Sequence, residues 1–159
     1  MKIAMMLSAA LASVMLSACG GDALVGTWVS STDPNAVTDG SVSFRQTLVI
    51  NSGAAKTFSQ TTAIGLGTAT PGCISTTIVS GTYADTSTSI TLTLTAGTST
   101  TSDCQDTQGN STSTLTTSQL GAIGNITSTY TISGSKLTVN VPAISLEGMP
   151  ASTYIYTKQ

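Results

Sequence analysis

Apolar and polar residues alternate with a period of two through most of the chain. In SVSFRQTLVIN, Val42, Phe44, Leu48 and Ile50 share one face, and Ser43, Arg45 and Thr47 the other. SITLTLTAG repeats this with Ile90, Leu92 and Leu94 against Thr91, Thr93 and Thr95. Such alternation is the mark of a strand with one buried and one wet face. ALVGTWVS, KTFSQTTAI, ISTTIVSGTY, STSTLTTS, TSTYTIS, KLTVNVP and STYIYTK read the same way, separated by Gly, Asp, Asn and Ser. The pattern therefore predicts an all-β fold of about eight to nine strands. TTSQLGAIGN is Gly-rich and reads as a turn, which leaves no helix after the N-terminal segment.

The connections set the topology. SGSK, Ser133 to Lys136, lies between two alternating runs as a tight hairpin does, and ADTSTS between Tyr83 and Ile90 gives a second. Consecutive hairpins make an antiparallel meander, and a meander removes its exposed edges by closing into a barrel. A β-sandwich is the alternative. LVGTWVS resembles the Gly-x-Trp opening of lipocalins and of the lipocalin-like domains of many bacterial lipoproteins. The final strand, TYIYTKQ, is also similar to that family's last strand, which carries aromatics and ends in a cation. In lipocalins the opening Trp closes the barrel floor beneath a late Arg. The resemblance thus implies a floor built from Gly26, Trp28 and Lys158, with the Lys158 ammonium over the indole. Lysine lacks the planar stacking surface of the family's arginine. The expected inward set is Phe44, Leu48, Ile50, Ile78, Leu92, Leu94, Tyr130, Ile132, Leu137, Val139 and Tyr156.

The N-terminus carries a different signal. Lys2 precedes an apolar run from Ile3 to about Leu16, followed by the small residues Ser17 and Ala18. That is the layout of a secretory signal peptide, and the run falls short of the ~20 apolar residues that span a bilayer. Leu16-Ser17-Ala18-Cys19 resembles the lipobox of bacterial lipoprotein precursors. The resemblance implies cleavage after Ala18 and a diacylglycerol on the Cys19 thiol, with a further acyl chain such as palmitate on the new amine. Residues 1–18 are then the signal peptide, 19–23 a lipidated Cys and short tether, and 24–159 one lipocalin-like domain. Gly20, rather than Asp, follows the cysteine, which in enteric lipoproteins favours the outer membrane. The expected location is the bacterial cell envelope, with the lipid as membrane anchor.

After such processing, Cys73 and Cys104 are the remaining cysteines, in an oxidising compartment where an even pair normally bonds. Their midpoint falls in ADTSTS, so a hairpin turning there would bring them together.

Composition narrows the chemistry. About a third of the residues are Ser or Thr, which with ordinary apolar content and low charge suits a hydroxyl-dressed sheet rather than a disordered stalk. The net charge is −2, with five basic and seven acidic residues, so nothing points to nucleic acid. There is no histidine, which removes the commonest general base and most transition-metal sites. The expectation is a protein without cofactor, metal or catalytic residues. SGSK matches Ser-x-x-Lys, but that chemistry needs the Ser at a helix start and further motifs downstream. An apolar lumen would hold a small apolar ligand. A filled core would instead suit a structural or interaction protein that meets another envelope component. An interior cavity of ~300 Å³ or more would favour the first.

Overall fold

A computed structural model of the chain describes residues 23–30, 42–66, 73–102, 110–144 and 150–159. The expected signal peptide, the lipobox-like segment with Cys19, and Cys104 lie outside the described residues. Among these residues, after a helical turn at Ala23 and Leu24, nine strands and one helix follow in order: β1 (Gly26–Ser30), β2 (Val42–Asn51), β3 (Thr57–Leu66), β4 (Cys73–Asp85), β5 (Ser89–Ser102), β6 (Ser111–Thr114), α1 (Thr117–Ile123), β7 (Asn125–Ser133), β8 (Lys136–Val141) and β9 (Ser152–Lys158). All pairings are antiparallel.

Eight of the strands close on themselves. The ring runs β1-β2-β3-β4-β5-β7-β8-β9, and β9 returns to β1 through Trp28↔Lys158 and Val29↔Thr157. This is the lipocalin-like meander barrel of the sequence reading. It is not a sandwich, because no two sheets are left unjoined. Strand β5 is long enough to serve two partners on one side. Its first half pairs β7 (Ser89↔Thr129 to Thr93↔Asn125), and its second half pairs β6 (Thr98↔Thr114 to Thr101↔Ser111). The turn at SGSK has two residues between Ser133 and Lys136, with Gly134 at φ +60°, the positive φ that tight hairpins demand.

Two elements differ from the sequence reading. STSTLTTS forms a strand only over Ser111–Thr114, and TTSQLGAIGN holds the helix α1 rather than a turn. The reason is local. Thr116 Oγ1 accepts from the Gln119 amide at 3.3 Å, while Gln119 Oε1 accepts from the Thr116 amide at 2.8 Å. This capping box satisfies two backbone donors at the helix start. Leu120 is buried, and Gly124 at φ +69° stops the helix. Caps and one apolar anchor outweigh the propensity cost of Gly121.

The core lies inside the ring. Leu24, Trp28, Ile50, Phe58 and Leu137 are essentially inaccessible, and Leu48, Tyr83, Ile90, Tyr130, Val139 and Tyr156 complete the buried cluster. On β7, Ile126, Ser128, Tyr130 and Ile132 point inward, and the residues between them are exposed.

Candidate functional site

One end of the barrel is shut by the first and last strands. Trp28 has no exposed surface, and its indole N–H donates to the Leu24 carbonyl at 2.7 Å. Lys158, its register partner on β9, places Nζ 5.0 Å from the ring centroid and donates to the Ala23 carbonyl at 3.3 Å. Gly26 sits beside them at φ +137°, and a Cβ built there would lie 2.8 Å from Lys158 Cε. The structure thus brings Gly26, Trp28 and Lys158 into one floor.

The Gly26→Ala substitution should cost about 1–2 kcal/mol, because that φ is costly for any L side chain. The flexible lysine can yield its few tenths of an ångström, whereas the backbone cannot. A urea midpoint lowered without a change in slope, followed by Trp28 fluorescence, is the expected readout. An unchanged midpoint would refute the strain argument.

Polar contacts brace the same end. Lys56 and Asp85 form an ion pair, and Lys56 Nζ also lies 5.6 Å from the centre of the Tyr83 ring. The hydrogen bond to Asp85 holds the Lys56 pKa above its ordinary value. Tyr130 donates to the Thr86 carbonyl at 2.8 Å. Burial raises its phenol pKa, and the Asp85 charge adds to the effect.

Above the floor runs an internal cavity of about 170 Å³. Its walls are mostly apolar: Leu24, Leu48, Ile50, Ile90, Leu92, Ile126, Leu137, Val139, Val141 and Ile144. Tyr130, Tyr154 and Tyr156 add aromatic surface, and Gln46, Gln60 and Ser128 add polar groups. None of these side chains is charged. The volume is below the ~300 Å³ at which typical small-molecule pockets begin. It is close to the ~150 Å³ of an engineered apolar cavity that stays dry and binds benzene.

The buried polar groups are arranged in a short chain. Tyr156 donates its hydroxyl to Gln46 Oε1, and Gln46 Nε2 donates to Thr62 Oγ1 at 3.0 Å. Burial pushes the Tyr156 phenol pKa well up, and the neighbouring Tyr154 adds to this. The rings of Phe44, Tyr154 and Tyr156 follow one another with centroids 6.5 and 6.2 Å apart, within the usual aromatic pair distance.

Of the expected inward set, Leu48, Ile50, Leu92, Tyr130, Leu137, Val139 and Tyr156 border the cavity. Leu94 and Ile132 pack, partly buried, against the core cluster without reaching it. Phe44 shares the inward face of β2 but stacks on Tyr154 instead of lining the space. Ile78 is a correction. It is 42% exposed on the outside, because the β3–β4 register pairs it with Thr61, while Val79 and Tyr83 of the same strand pack inward.

Gln46, Gln60 and Ser128 escaped the sequence reading, which selected apolar residues alone. Strand parity alone would have found them. Gln46 lies between Phe44 and Leu48 on one face, Gln60 two residues from Phe58, and Ser128 two from Tyr130. Cys73 opens β4, and Ile74 pairs with Ser102, two residues before Cys104. Among the described residues no group of three or more His, Cys, Asp or Glu side chains converges on a metal-sized site. Comparison with protein-family models finds no match for the chain, and comparison with curated proteins finds none either.

Proposed function

We propose that this protein is a lipid-anchored lipoprotein of the bacterial cell envelope whose barrel holds a small, mostly apolar ligand. The observation that carries the ligand reading is the cavity of about 170 Å³ in the barrel, whose described lining side chains are all uncharged. The anchor reading rests on Leu16-Ser17-Ala18-Cys19 and the signal-type segment before it. A disulfide between Cys73 and Cys104 would tie β4 to the chain beyond β5, in keeping with the register that sets Ile74 opposite Ser102. The modest cavity volume also favours a second reading. In it the barrel is a packed, non-catalytic scaffold that meets another envelope protein through its hydroxyl-rich outer face, where Ile74, Ile78 and Ile155 are exposed.

Mass spectrometry of the natively purified mature protein tests both readings. The expected species begins at an acylated Cys19, lacks the two hydrogens of a Cys73–Cys104 pair, and releases a small neutral molecule on denaturation. An unmodified chain that still carries residues 1–18 would overturn the lipoprotein reading. Repeated preparations with an empty barrel, and no uptake of added benzene, would leave the scaffold reading standing.

A further inference from the structure

We propose that the barrel selects a neutral, single-ring molecule with one hydrogen-bonding substituent, of the phenol or benzyl alcohol class, and that Ser128 holds that substituent. The inference rests on the ligand reading above and goes beyond it to the chemistry of the ligand.

Ser128 is the unusual member of the lining. It is 3% exposed, faces the cavity from the middle of β7, and among the described residues its hydroxyl makes no hydrogen bond. The hydroxyl opens onto the cavity rather than being sealed in the wall, since among the described residues no fully buried side-chain polar atom lacks a partner. Other deeply buried polar groups of the lining are already engaged: Gln46 with Tyr156 and Thr62, and Tyr130 with the Thr86 carbonyl. Ser128 therefore offers the fixed, unused donor and acceptor that a ligand substituent would meet. The half-buried Gln60 amide, also without a side-chain partner among the described residues, is the second polar group of the wall.

Size and surface set the rest of the ligand. A cavity of 170 Å³ matches a single ring with a short substituent and is too small to enclose a long acyl chain. Tyr130, Tyr154 and Tyr156 in the lining supply rings for aromatic packing. Among the described residues no cationic or anionic side chain lines the space, so a charged ligand would lose its hydration without a counter-ion there.

Calorimetric titration of the purified mature protein with benzene, phenol and benzoate near neutral pH tests this. Benzene and phenol should both bind, phenol the tighter, and benzoate should not bind. The Ser128→Ala variant should weaken phenol roughly two- to tenfold and leave benzene unchanged, the scale of one hydrogen bond. Ser128→Thr, which keeps the hydroxyl, should retain the preference for phenol. If benzene fails to bind the wild-type barrel, the ligand reading itself falls. If benzene binds but Ser128→Ala leaves the phenol-to-benzene ratio unchanged, or benzoate binds as well as phenol, the present inference falls while the ligand reading stands.

Discussion

Replacing Trp28 by alanine is expected to destabilise the barrel by about 3–5 kcal/mol, the range for removing a fully buried large aromatic side chain. Three losses coincide at this position. The indole is wholly buried, so its removal leaves a cavity that the β1 and β9 backbones, paired at Trp28↔Lys158, cannot collapse to fill. The Leu24 carbonyl loses the N–H that reaches it at 2.7 Å. The Lys158 ammonium loses the ring beneath it at 5.0 Å. For a domain whose total stability is about 5–15 kcal/mol, this is a large fraction. Trp28 is the chain's single tryptophan, so unfolding of the variant must be followed by circular dichroism in urea. The control is Lys158→Ala, which removes the cation and its hydrogen bond to the Ala23 carbonyl but leaves the indole, and should cost about 0.5–2 kcal/mol. If Trp28→Ala unfolds within 1 kcal/mol or so of the wild type, the floor does not hold the barrel closed.

Much of the fold was legible because it depends on local alternation. Phe44, Leu48 and Ile50 against Arg45 and Thr47 fix which face of β2 is inside, and the SGSK turn fixes the pairing of β7 with β8. Closure follows from the run of hairpins, but the floor contact between Trp28 and Lys158 was legible only through resemblance, because it joins the first strand to the last. The errors have physical causes. Apolarity alone places Ile78 inward, yet the period of two leaves no choice once Tyr83 is inside, since the two stand on opposite parities. The helix α1 is hidden from composition because its stability comes from the Thr116–Gln119 box and from Leu120. The cavity's polar members were hidden for the opposite reason. A buried Ser or Gln looks like a surface residue until its neighbours two positions away are placed.

The second large effect is expected at alkaline pH, where stability should fall by about 1.4 kcal/mol per pH unit above the ordinary phenol value of about 10. Tyr156 is 3% exposed, and burial raises its pKa above that of the unfolded chain. The folded state therefore keeps the phenol proton over a range where the unfolded state has already lost it. With fewer protons bound to the unfolded chain, the slope of stability against pH is negative there. The contribution is fully present below the unfolded-chain value and is lost as pH climbs through the raised one. Tyr130 and Lys56, whose pKa values are also raised, act with the same sign. Tyrosinate absorbance recorded with circular dichroism across this range should show part of the four-tyrosine signal appearing only as the barrel unfolds. The Tyr156→Phe variant isolates the cause. It should lose stability at neutral pH by about 1–3 kcal/mol, because Gln46 Oε1 is left buried without its donor. In exchange, its stability should decline less steeply above about pH 10 than that of the wild type. If all four tyrosines ionise near the ordinary value while the barrel stays folded, the phenol of Tyr156 is not held by burial, and the Gln46–Tyr156 pair does not lock β2 to β9 across the interior.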